Sequence, residues 1–282
     1  MTLSPPKLST VLCAVDFSEH ARSALYLAAG LTFQRGSRLV VLTVDPRAGG
    51  TAAEQGQASR ELADFVRRAL PGVHGRREGL DLRVRAGATV DAVLAAAAEF
   101  GAELIVVGTR GRGAVGRALF GSTAAALMER SPVPLAVVPP SHPEIVSLGE
   151  QRAVPHFGII FVPVDLATPP VAQTAFAARF SPGSAHHLFM VHVTPTHDAA
   201  VEAQRQLQAL TRNTPAAPER GWRILALPGT VPDTILEIVH RERIGLVVLG
   251  RSSTEPGKLA YELVRGSKAV IVTVPEMPGM TS

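Results

Sequence analysis

The sequence predicts two tandem α/β domains, each a doubly wound, parallel, five-stranded sheet with helices on both faces. Two observations lead to this fold class: the chain contains two related halves, and within each half short apolar runs alternate with helical patterns. Strands separated by helices imply right-handed crossovers and therefore a parallel sheet. The length of 282 residues suits two domains of about 140 residues each.

The two halves can be aligned with each other directly. Asp16, after the first apolar run, matches Asp165, and Gly108, after a later run, matches Gly250. The offset between matching residues shrinks along the chain, so the second copy has lost residues in two places. We therefore expect the following organisation: a first domain over 1–140, a Pro-, Ser- and Gly-containing linker over 141–155, and a second domain over 156–282.

The first copy shows how the elements alternate. Its apolar runs have the length and β-branched content of strands, and they cover residues 11–15, 39–44, 82–84, 104–107 and 135–138. Helical patterns lie between them, over residues 18–33, 51–70, 90–100 and 122–130. Ser18 and Ser122 are predicted N-caps, and Gly101 is a predicted helix stop.

Composition excludes several classes of function. Charged residues make up 18% of the chain and the net charge is +4 without basic runs, so nucleic-acid binding is not expected. Aromatic residues, at 5%, are too few for a platform that stacks single-stranded bases. The single cysteine, Cys13, excludes an intrachain disulfide framework and falls in a predicted buried strand. Because an apolar leader and a membrane-spanning run are both lacking, we expect a cytoplasmic protein without membrane insertion.

The most informative segment is the glycine-rich loop over residues 108–123, which follows the fourth strand. Open α/β sheets bind ligands at the carboxyl ends of their strands, where this loop and Asp16 both lie. Glycines allow a backbone to approach a ligand closely, and N–H groups at a helix start bind phosphate oxygens. The Ser122 and Thr123 hydroxyls would add donors, although the loop lacks the Gly-Lys-Ser/Thr ending of a Walker A motif. Three arginines add positive charge nearby: Arg110, Arg112 and Arg117.

The spacing Gly-x2-Gly-x9-Gly-Ser after a buried strand resembles the ATP-binding signature of the universal stress protein (UspA) family. It is formed by Gly108, Gly111, Gly121 and Ser122. Asp16 after the first strand, Val44 at the end of the second and Pro132-Val133-Pro134 before the last resemble the family as well. Since the two copies cover nearly the whole chain, it resembles a tandem member, for which a Rossmann-like fold of the adenine nucleotide alpha hydrolase kind is implied.

The resemblance implies an ATP site in the first copy, with Mg²⁺ bound through the nucleotide phosphates. Adenine would lie near the ends of the first two strands, at Ala14, Asp16 and the backbone of Val44. Ribose and phosphates would contact the loop residues Gly108, Arg110, Gly111, Gly113, Gly121, Ser122 and Thr123. The family further implies a stress-response nucleotide sensor and at most slow ATP hydrolysis, and we identify no general base or nucleophile near the loop.

The second copy departs from this pattern. Asp165 is retained, but the loop after Gly250 is shorter, and Ser253 stands where the second glycine would be. Gly257-Lys258 replaces the Gly-Ser pair, and Glu255 adds negative charge. We expect this copy to be structural or to take a different ligand.

Three alternatives remain open. A related α/β enzyme would hydrolyse ATP or transfer its adenylyl group, which requires a further acid, base or metal carboxylate near the phosphates. A ligand-free interaction scaffold is the second. A metal site is the third, built from the histidines at 186, 187, 192 and 197. The metal site is disfavoured because strand alternation places His187 and His192 on opposite faces.

The expected partners follow from the resemblance and from the predicted sheet edges. The strands at 135–138 and 271–274 would be edge strands, and exposed edges favour pairing, so we expect the two domains of one chain to join there. The family also implies a homodimer and an unidentified protein partner that recognises the ATP-bound state.

Overall fold

The computed structural model describes residues 8–33, 36–71, 78–111, 120–140, 157–180, 187–212, 221–251 and 258–276, together with the backbone of 146–149 and 152–155. The chain divides into two compact units, Lys7–His156 and Phe157–Ser282. Each unit contains a parallel sheet and helices, which confirms the predicted fold class.

The first unit follows the predicted alternation of strands and helices. Its parallel strands are β1 (Thr10–Ala14), β2 (Arg38–Val44), β3 (Leu80–Arg85), β4 (Leu104–Gly108) and β5 (Leu135–Val138). Its helices are α1 (Glu19–Thr32), α2 (Ala52–Ala69), α3 (Thr89–Glu99) and α4 (Ser122–Arg130). The strand order is β3-β2-β1-β4-β5. The chain therefore changes direction across the sheet between β1 and β4, and their carboxyl ends form the crevice where this fold class binds ligands.

The centre of this sheet is the core of the unit. Val11, Leu12 and Cys13 of β1 are completely buried, as are Leu104 and Ile105 of β4. Such strands are apolar throughout because both faces of a doubly wound sheet are covered. Burial raises the pKa of the Cys13 thiol, so the thiolate is disfavoured and Cys13 acts as a core residue, as its position in the sequence predicts.

The helix ends confirm two of the three predictions made for them. Ser18 caps α1, and its Oγ accepts a hydrogen bond of 3.1 Å from the amide of Ala21. Gly101 follows α3 with a φ of 59°, the left-handed conformation that ends many helices. Ser122, however, was wrongly predicted as an N-cap: the cap of α4 is Gly121, and Ser122 is the first helical residue. Gly121 takes that place because its amide is bound by Thr109, which fixes it outside the helix.

The segment expected to be a linker contains regular structure. Strands β6 (Val146–Gly149) and β7 (Arg152–Pro155) form an antiparallel hairpin that belongs to the first unit, where β7 runs beside α1. This hairpin was not predicted, because two four-residue strands are too short to show a clear alternation of apolar and polar residues.

The second unit repeats the topology of the first. Its strands are β8 (Ile159–Pro163), β9 (His187–Thr194), β10 (Trp222–Pro228), β11 (Leu246–Gly250) and β12 (Val270–Val274), in the order β10-β9-β8-β11-β12. Its helices are α5 (Val171–Phe180), α6 (His197–Arg212), α7 (Val231–Arg241) and α8 (Lys258–Gly266). Across the described ranges, every helix is too short or too polar to traverse a lipid bilayer.

Candidate functional site

The candidate site begins at the end of β1. Val15 continues the pairing with β2 through a hydrogen bond of 2.8 Å from its amide to the carbonyl of Leu42, and the half-buried Asp16 follows. The Asp16 carboxylate accepts hydrogen bonds from the Ser18 hydroxyl at 2.6 Å and from the Ser18 amide at 3.2 Å. Asp16 therefore has a structural role in the turn that leads into α1, whatever else it binds.

Phe17, between Asp16 and Ser18, is the strained residue of this turn. Its φ is 64°, in the left-handed region that side chains with a Cβ rarely adopt. The Phe17 ring packs edge to face against Phe65 of α2, with 5.3 Å between the centroids, and this contact supports the conformation. Backbone strain of this kind concentrates at functional sites.

Gly108, the last residue of β4, lies directly against the first turn of α1. A Cβ at this position would come within 2.7 Å of the carbonyl carbon of His20 and 2.8 Å of its Cβ. Only a glycine permits this approach, since the obstacle includes backbone. The close contact brings the end of β4 and the start of α1 together at the crevice.

Asp16 and Gly111 meet although they are far apart in the sequence. A Cβ on Gly111 would lie 2.7 Å from Oδ2 of Asp16, so the carboxylate packs against the bare α-carbon. The two residues belong to the loops that follow β1 and β4, the neighbouring strands at the centre of the sheet. The structure thus juxtaposes the predicted aspartate and the second predicted glycine.

Gly121 closes the far end of the loop. Its amide donates a hydrogen bond of 2.8 Å to the carbonyl of Thr109, and a Cβ at Gly121 would lie 3.3 Å from that oxygen and 3.4 Å from the Cα of Arg110. The α4 helix then starts at Ser122, and its N-cap, Gly121, has no side chain with which to bind the first amides. Ser122 is exposed and Thr123 is half-buried at this positive end of the helix dipole.

His20 joins the polar groups at the base of the loop. Its Nδ1 shares a hydrogen bond of 2.8 Å with the hydroxyl of the buried Thr109. Burial lowers the pKa of His20, as does the nearby Arg110 guanidinium, whereas Asp16 and Glu19 act in the opposite direction. The sequence reasoning missed His20 and Thr109, because neither belongs to the glycine spacing on which the prediction relied.

Val44 lies at the end of β2, beside a second polar cluster. Asp45 caps a short 3-10 helix, Pro46–Gly49, and binds Arg47 at 2.7 Å, while Arg47 also binds Glu61 of α2 at 2.6 Å. The shared guanidinium lowers the pKa of Asp45 and of Glu61, and the two carboxylates raise the pKa of Arg47. This cluster orders the turn after β2. It was not predicted, although Asp-Pro is a common turn signal.

Within the described part of the chain the predicted site residues occupy three places, one of which is the start of α4, where Ser122 and Thr123 lie. Gly108, Gly111 and Gly121 converge with Asp16 between β1 and β4, and Arg110 is near them. Ala14 and Val44 lie at the ends of the adjacent strands β1 and β2. Three loop residues fall outside the described residues: Gly113, Arg112 and Arg117.

The matching region of the second unit is built differently. Asp165 accepts a hydrogen bond of 3.0 Å from the amide of Ala167, and the buried Gln173 of α5 places its Oε1 against the Cα of Gly250. The Gln173 amide also donates a hydrogen bond of 3.0 Å to the carbonyl of Pro163. A side chain thus fills the space above Gly250 that the α1 backbone occupies above Gly108 in the first unit.

The histidines do not assemble a metal site in the described part of the chain. There, no group of three or more His, Cys, Asp or Glu side chains is placed to hold a metal ion. The Nδ1–H group of His192 donates a hydrogen bond of 2.9 Å to the carbonyl of Val164, while His187 is exposed. His186 is outside the described residues.

Fold and site together define a tandem α/β protein of the doubly wound class, with a glycine-loop crevice in its first unit. The model of the universal stress protein family matches residues 7–139. A curated relative from Thermus aquaticus, "Universal stress protein in QAH/OAS sulfhydrylase 3'region", is 36% identical over 137 residues, covering 46% of this chain and 97% of that protein. The chain belongs to the universal stress protein family.

Solved structures resemble the fold over most of the chain. A universal stress protein from Archaeoglobus fulgidus superposes with a TM-score of 0.69 at 16% identity, covering 95% of this chain and 97% of that one. A protein of unknown function from Pseudomonas aeruginosa superposes with a TM-score of 0.64 at 13% identity, covering 95% and 92%. At such identities the similarity shows a shared fold.

Proposed function

We propose that the first unit binds ATP, with Mg²⁺ on its phosphates, and that the protein acts as a nucleotide sensor in a stress response. The observation that carries the proposal is the convergence of three glycines and Asp16 on the crevice between β1 and β4. Phosphate binding requires a backbone that a ligand can approach closely, and these glycines provide it. Membership of the universal stress protein family supports the stress-response role.

The residues at the crevice suit the parts of a nucleotide. The first amides of α4, which follow a glycine N-cap, and the exposed Ser122 hydroxyl supply donors for phosphate oxygens. Arg110 supplies positive charge, which also acts on His20. In this proposal adenine lies near Ala14 and Val44, at the ends of β1 and β2. Mg²⁺ enters as the counter-ion of the phosphates, and no protein ligand is assigned to it.

The proposed role is binding rather than catalysis. The Asp16 carboxylate is hydrogen-bonded to Ser18 and packed against Gly111, so it is a poor candidate for a general base. We accordingly expect any ATP hydrolysis to be slow. Three expectations stay predictions: a homodimer, a protein partner that recognises the ATP-bound state, and the joining of the two units across their last strands.

Calorimetric titration of the nucleotide-stripped protein with Mg-ATP tests the proposal. We expect about one site per chain and at least tenfold weaker binding by Gly121→Val, whose branched Cβ would press on the carbonyl of Thr109 and the Cα of Arg110. Gly56→Ala in α2 is the matched control, since its added Cβ would lie 3.7 Å from Arg60, an ordinary contact. It should bind ATP as the wild-type protein does.

Two results would count against the proposal. The first is an absence of heat with the wild-type protein together with no nucleotide released when unstripped material is denatured, which would favour a ligand-free scaffold. The second is rapid phosphate release from ATP that is abolished by Asp16→Ala while binding persists, which would favour the enzyme alternative.

A further inference from the structure

We propose that His20 is a positioning residue of the nucleotide site, which fixes both ends of the glycine loop to the first turn of α1 through the side chain of Thr109. The inference deepens the proposed function and rests on it. His20 would not touch the nucleotide itself. It would act on affinity through the geometry of the loop and through its own charge.

Thr109 is the junction on which the inference depends. Its amide donates a hydrogen bond of 3.0 Å to the carbonyl of Val138 in β5, and its carbonyl accepts one of 2.8 Å from the amide of Gly121. Its hydroxyl shares the bond of 2.8 Å with Nδ1 of His20, and the residue is only 4% exposed. Through its amide, its carbonyl and its hydroxyl, this one buried residue therefore ties together β5, the start of α4 and the start of α1.

His20 is itself held firmly, so it can position Thr109. It lies in the first turn of α1, one residue after the turn begins at Glu19, and Ser18 caps that turn. Its backbone packs against Gly108 at a distance that leaves no room for a Cβ there. Main chain and side chain of His20 thus contact two consecutive residues, Gly108 and Thr109, at the root of the loop.

The second unit supplies an independent comparison. In the alignment anchored on Asp165, Pro169 stands opposite His20 but lies before α5, and Arg251 stands opposite Thr109, so neither side chain is retained. The backbone bond survives, because the amide of Arg251 donates to the carbonyl of Val274 at 2.8 Å. The fold is therefore maintained without the side-chain link, and the link accompanies the unit that keeps the glycine spacing.

The charge of His20 would also make nucleotide affinity depend on pH. The charged groups that act on His20 are Arg110 from the loop after β4, Asp16 from the loop after β1, and Glu19 from α1 itself. Burial and Arg110 lower the pKa of His20 in the ligand-free protein. A bound triphosphate beside Arg110 would favour the imidazolium form and raise that pKa again. Nucleotide binding would then take up a proton, so that affinity increases as pH falls through the pKa of His20.

Three variants separate the hydrogen bond from the charge. His20→Ala removes both, and we expect about tenfold weaker Mg-ATP binding, the loss typical of one buried hydrogen bond. His20→Asn places an amide where Nδ1 stood, so it should bind nearly as wild type at pH 8 and lack the additional affinity at lower pH. Thr109→Val removes the hydroxyl at constant shape, and it should match His20→Ala without adding to it in the double variant.

The experiment is a calorimetric titration with Mg-ATP between pH 5.5 and 8.5, in paired buffers of different ionisation enthalpy, with thermal unfolding recorded for each variant. The His20→Asn protein serves as the reference for protonation of ATP itself. The expected result is proton uptake by the wild-type protein in excess of this reference.

The outcomes separate this inference from the proposed function. If the wild-type protein binds ATP and His20→Ala binds it equally well, the positioning role is wrong and the ATP site stands. Equal proton uptake by the wild-type protein and His20→Asn would show that the charge of His20 does not contribute to nucleotide binding. If His20→Ala folds poorly, the ATP affinities of His20→Asn and Thr109→Val test the positioning role instead, because only His20→Asn keeps the hydrogen bond. Equal affinities of these two variants at pH 8 would contradict that role. A wild-type protein that binds no nucleotide would overturn both proposals.

Discussion

The crevices of the two units have the same backbone hydrogen bonding, but different groups fill the space beside the fourth strand. In both, the strand that leads to the aspartate pairs onward in the same way: Val15 donates to Leu42 at 2.8 Å, and Val164 donates to Val191 at 2.8 Å. In the first unit the space beside the fourth strand holds the start of α1. In the second unit it holds the amide of Gln173, because α5 begins only at Val171.

The comparison teaches that backbone hydrogen bonds maintain the fold while side chains at the crevice determine the site. Asp165 is retained, yet its carboxylate binds the amide of Ala167, and the second unit has no counterpart of Ser18 at that position. An aspartate at the end of the first strand is therefore insufficient to define the ligand site. The start of the following helix decides how much room and which polar groups remain beside it.

The largest expected effect distinguishes the two matched glycines. Gly108→Ala would force a Cβ to 2.7 Å from the backbone of His20, and we expect a loss of about 1–3 kcal/mol in the stability of the first unit. Gly250→Ala meets the far end of the Gln173 side chain, which can rotate away at the loss of one hydrogen bond, about 1 kcal/mol. Amide exchange of β4 and β11, each in its own variant, measures the two costs.

The second unit offers a direct optical readout for this comparison. Trp222 of β10 is the single tryptophan of the chain, so its fluorescence follows unfolding of the second unit. Adding Gly250→Ala to a Gln173→Ala background should cost less than adding it to the wild-type protein, since the obstacle has been removed. Equal losses of stability in Gly108→Ala and Gly250→Ala would contradict the comparison of the two crevices. They would show that a backbone obstacle and a side-chain obstacle resist the added Cβ equally.

A smaller effect is expected where Gly111 meets Asp16. Gly111→Ala would displace the Asp16 carboxylate, whose Oδ2 lies 2.7 Å from the added Cβ, and we expect about tenfold weaker Mg-ATP binding with little change in stability. The same substitution should matter less in an Asp16→Ala background, because the two groups then no longer overlap. Additive losses of affinity in the double variant would show that the contact does not mediate the effect.

The sequence was sufficient to predict the fold and part of the crevice. The apolar runs that became β1 and β4 are buried on both faces, so their composition alone identified them. Gly101 was predicted as a stop and takes the left-handed conformation expected there. The convergence of Asp16 with Gly111 followed from topology, since residues after neighbouring parallel strands emerge at one edge of the sheet.

Other features depend on side-chain contacts that leave no periodic signal. His20 and Thr109 are 89 positions apart, and nothing in either local sequence announces a hydrogen bond between them. Gly121 rather than Ser122 caps α4 because of a tertiary bond to Thr109, which overrides the local preference for serine. The positive φ of Phe17 is supported by the ring of Phe65, so local propensity could not have predicted it.

The smallest expected effect concerns the turns that follow β2 and β9, where Asp45 matches Thr194. In the first unit Asp45 and Glu61 share Arg47, and both carboxyl pKa values are lowered on folding. In the second unit the Thr194 hydroxyl donates to the carbonyl of Thr196 at 2.9 Å, and neither group titrates. Acid should therefore loosen the first turn and leave the second unchanged.

The sign and the pH window follow from the lowered pKa values. A carboxyl whose pKa is lowered stabilises the folded state above its ordinary value, here 3.8 for Asp45 and 4.5 for Glu61, and this contribution is lost as pH falls through the folded pKa. Because Arg47 and Glu61 are partly exposed to solvent, the effect should be small and should weaken with salt. Protection of the Ala48 and Gly50 amides, which bond within this turn, should fall on acidification in the wild-type protein and fall less in Arg47→Ala, where only the amide of residue 47 still binds Asp45. If amide protection at the turn after β9 fell to the same extent, the acid response would belong to the whole chain and not to the Arg47 cluster.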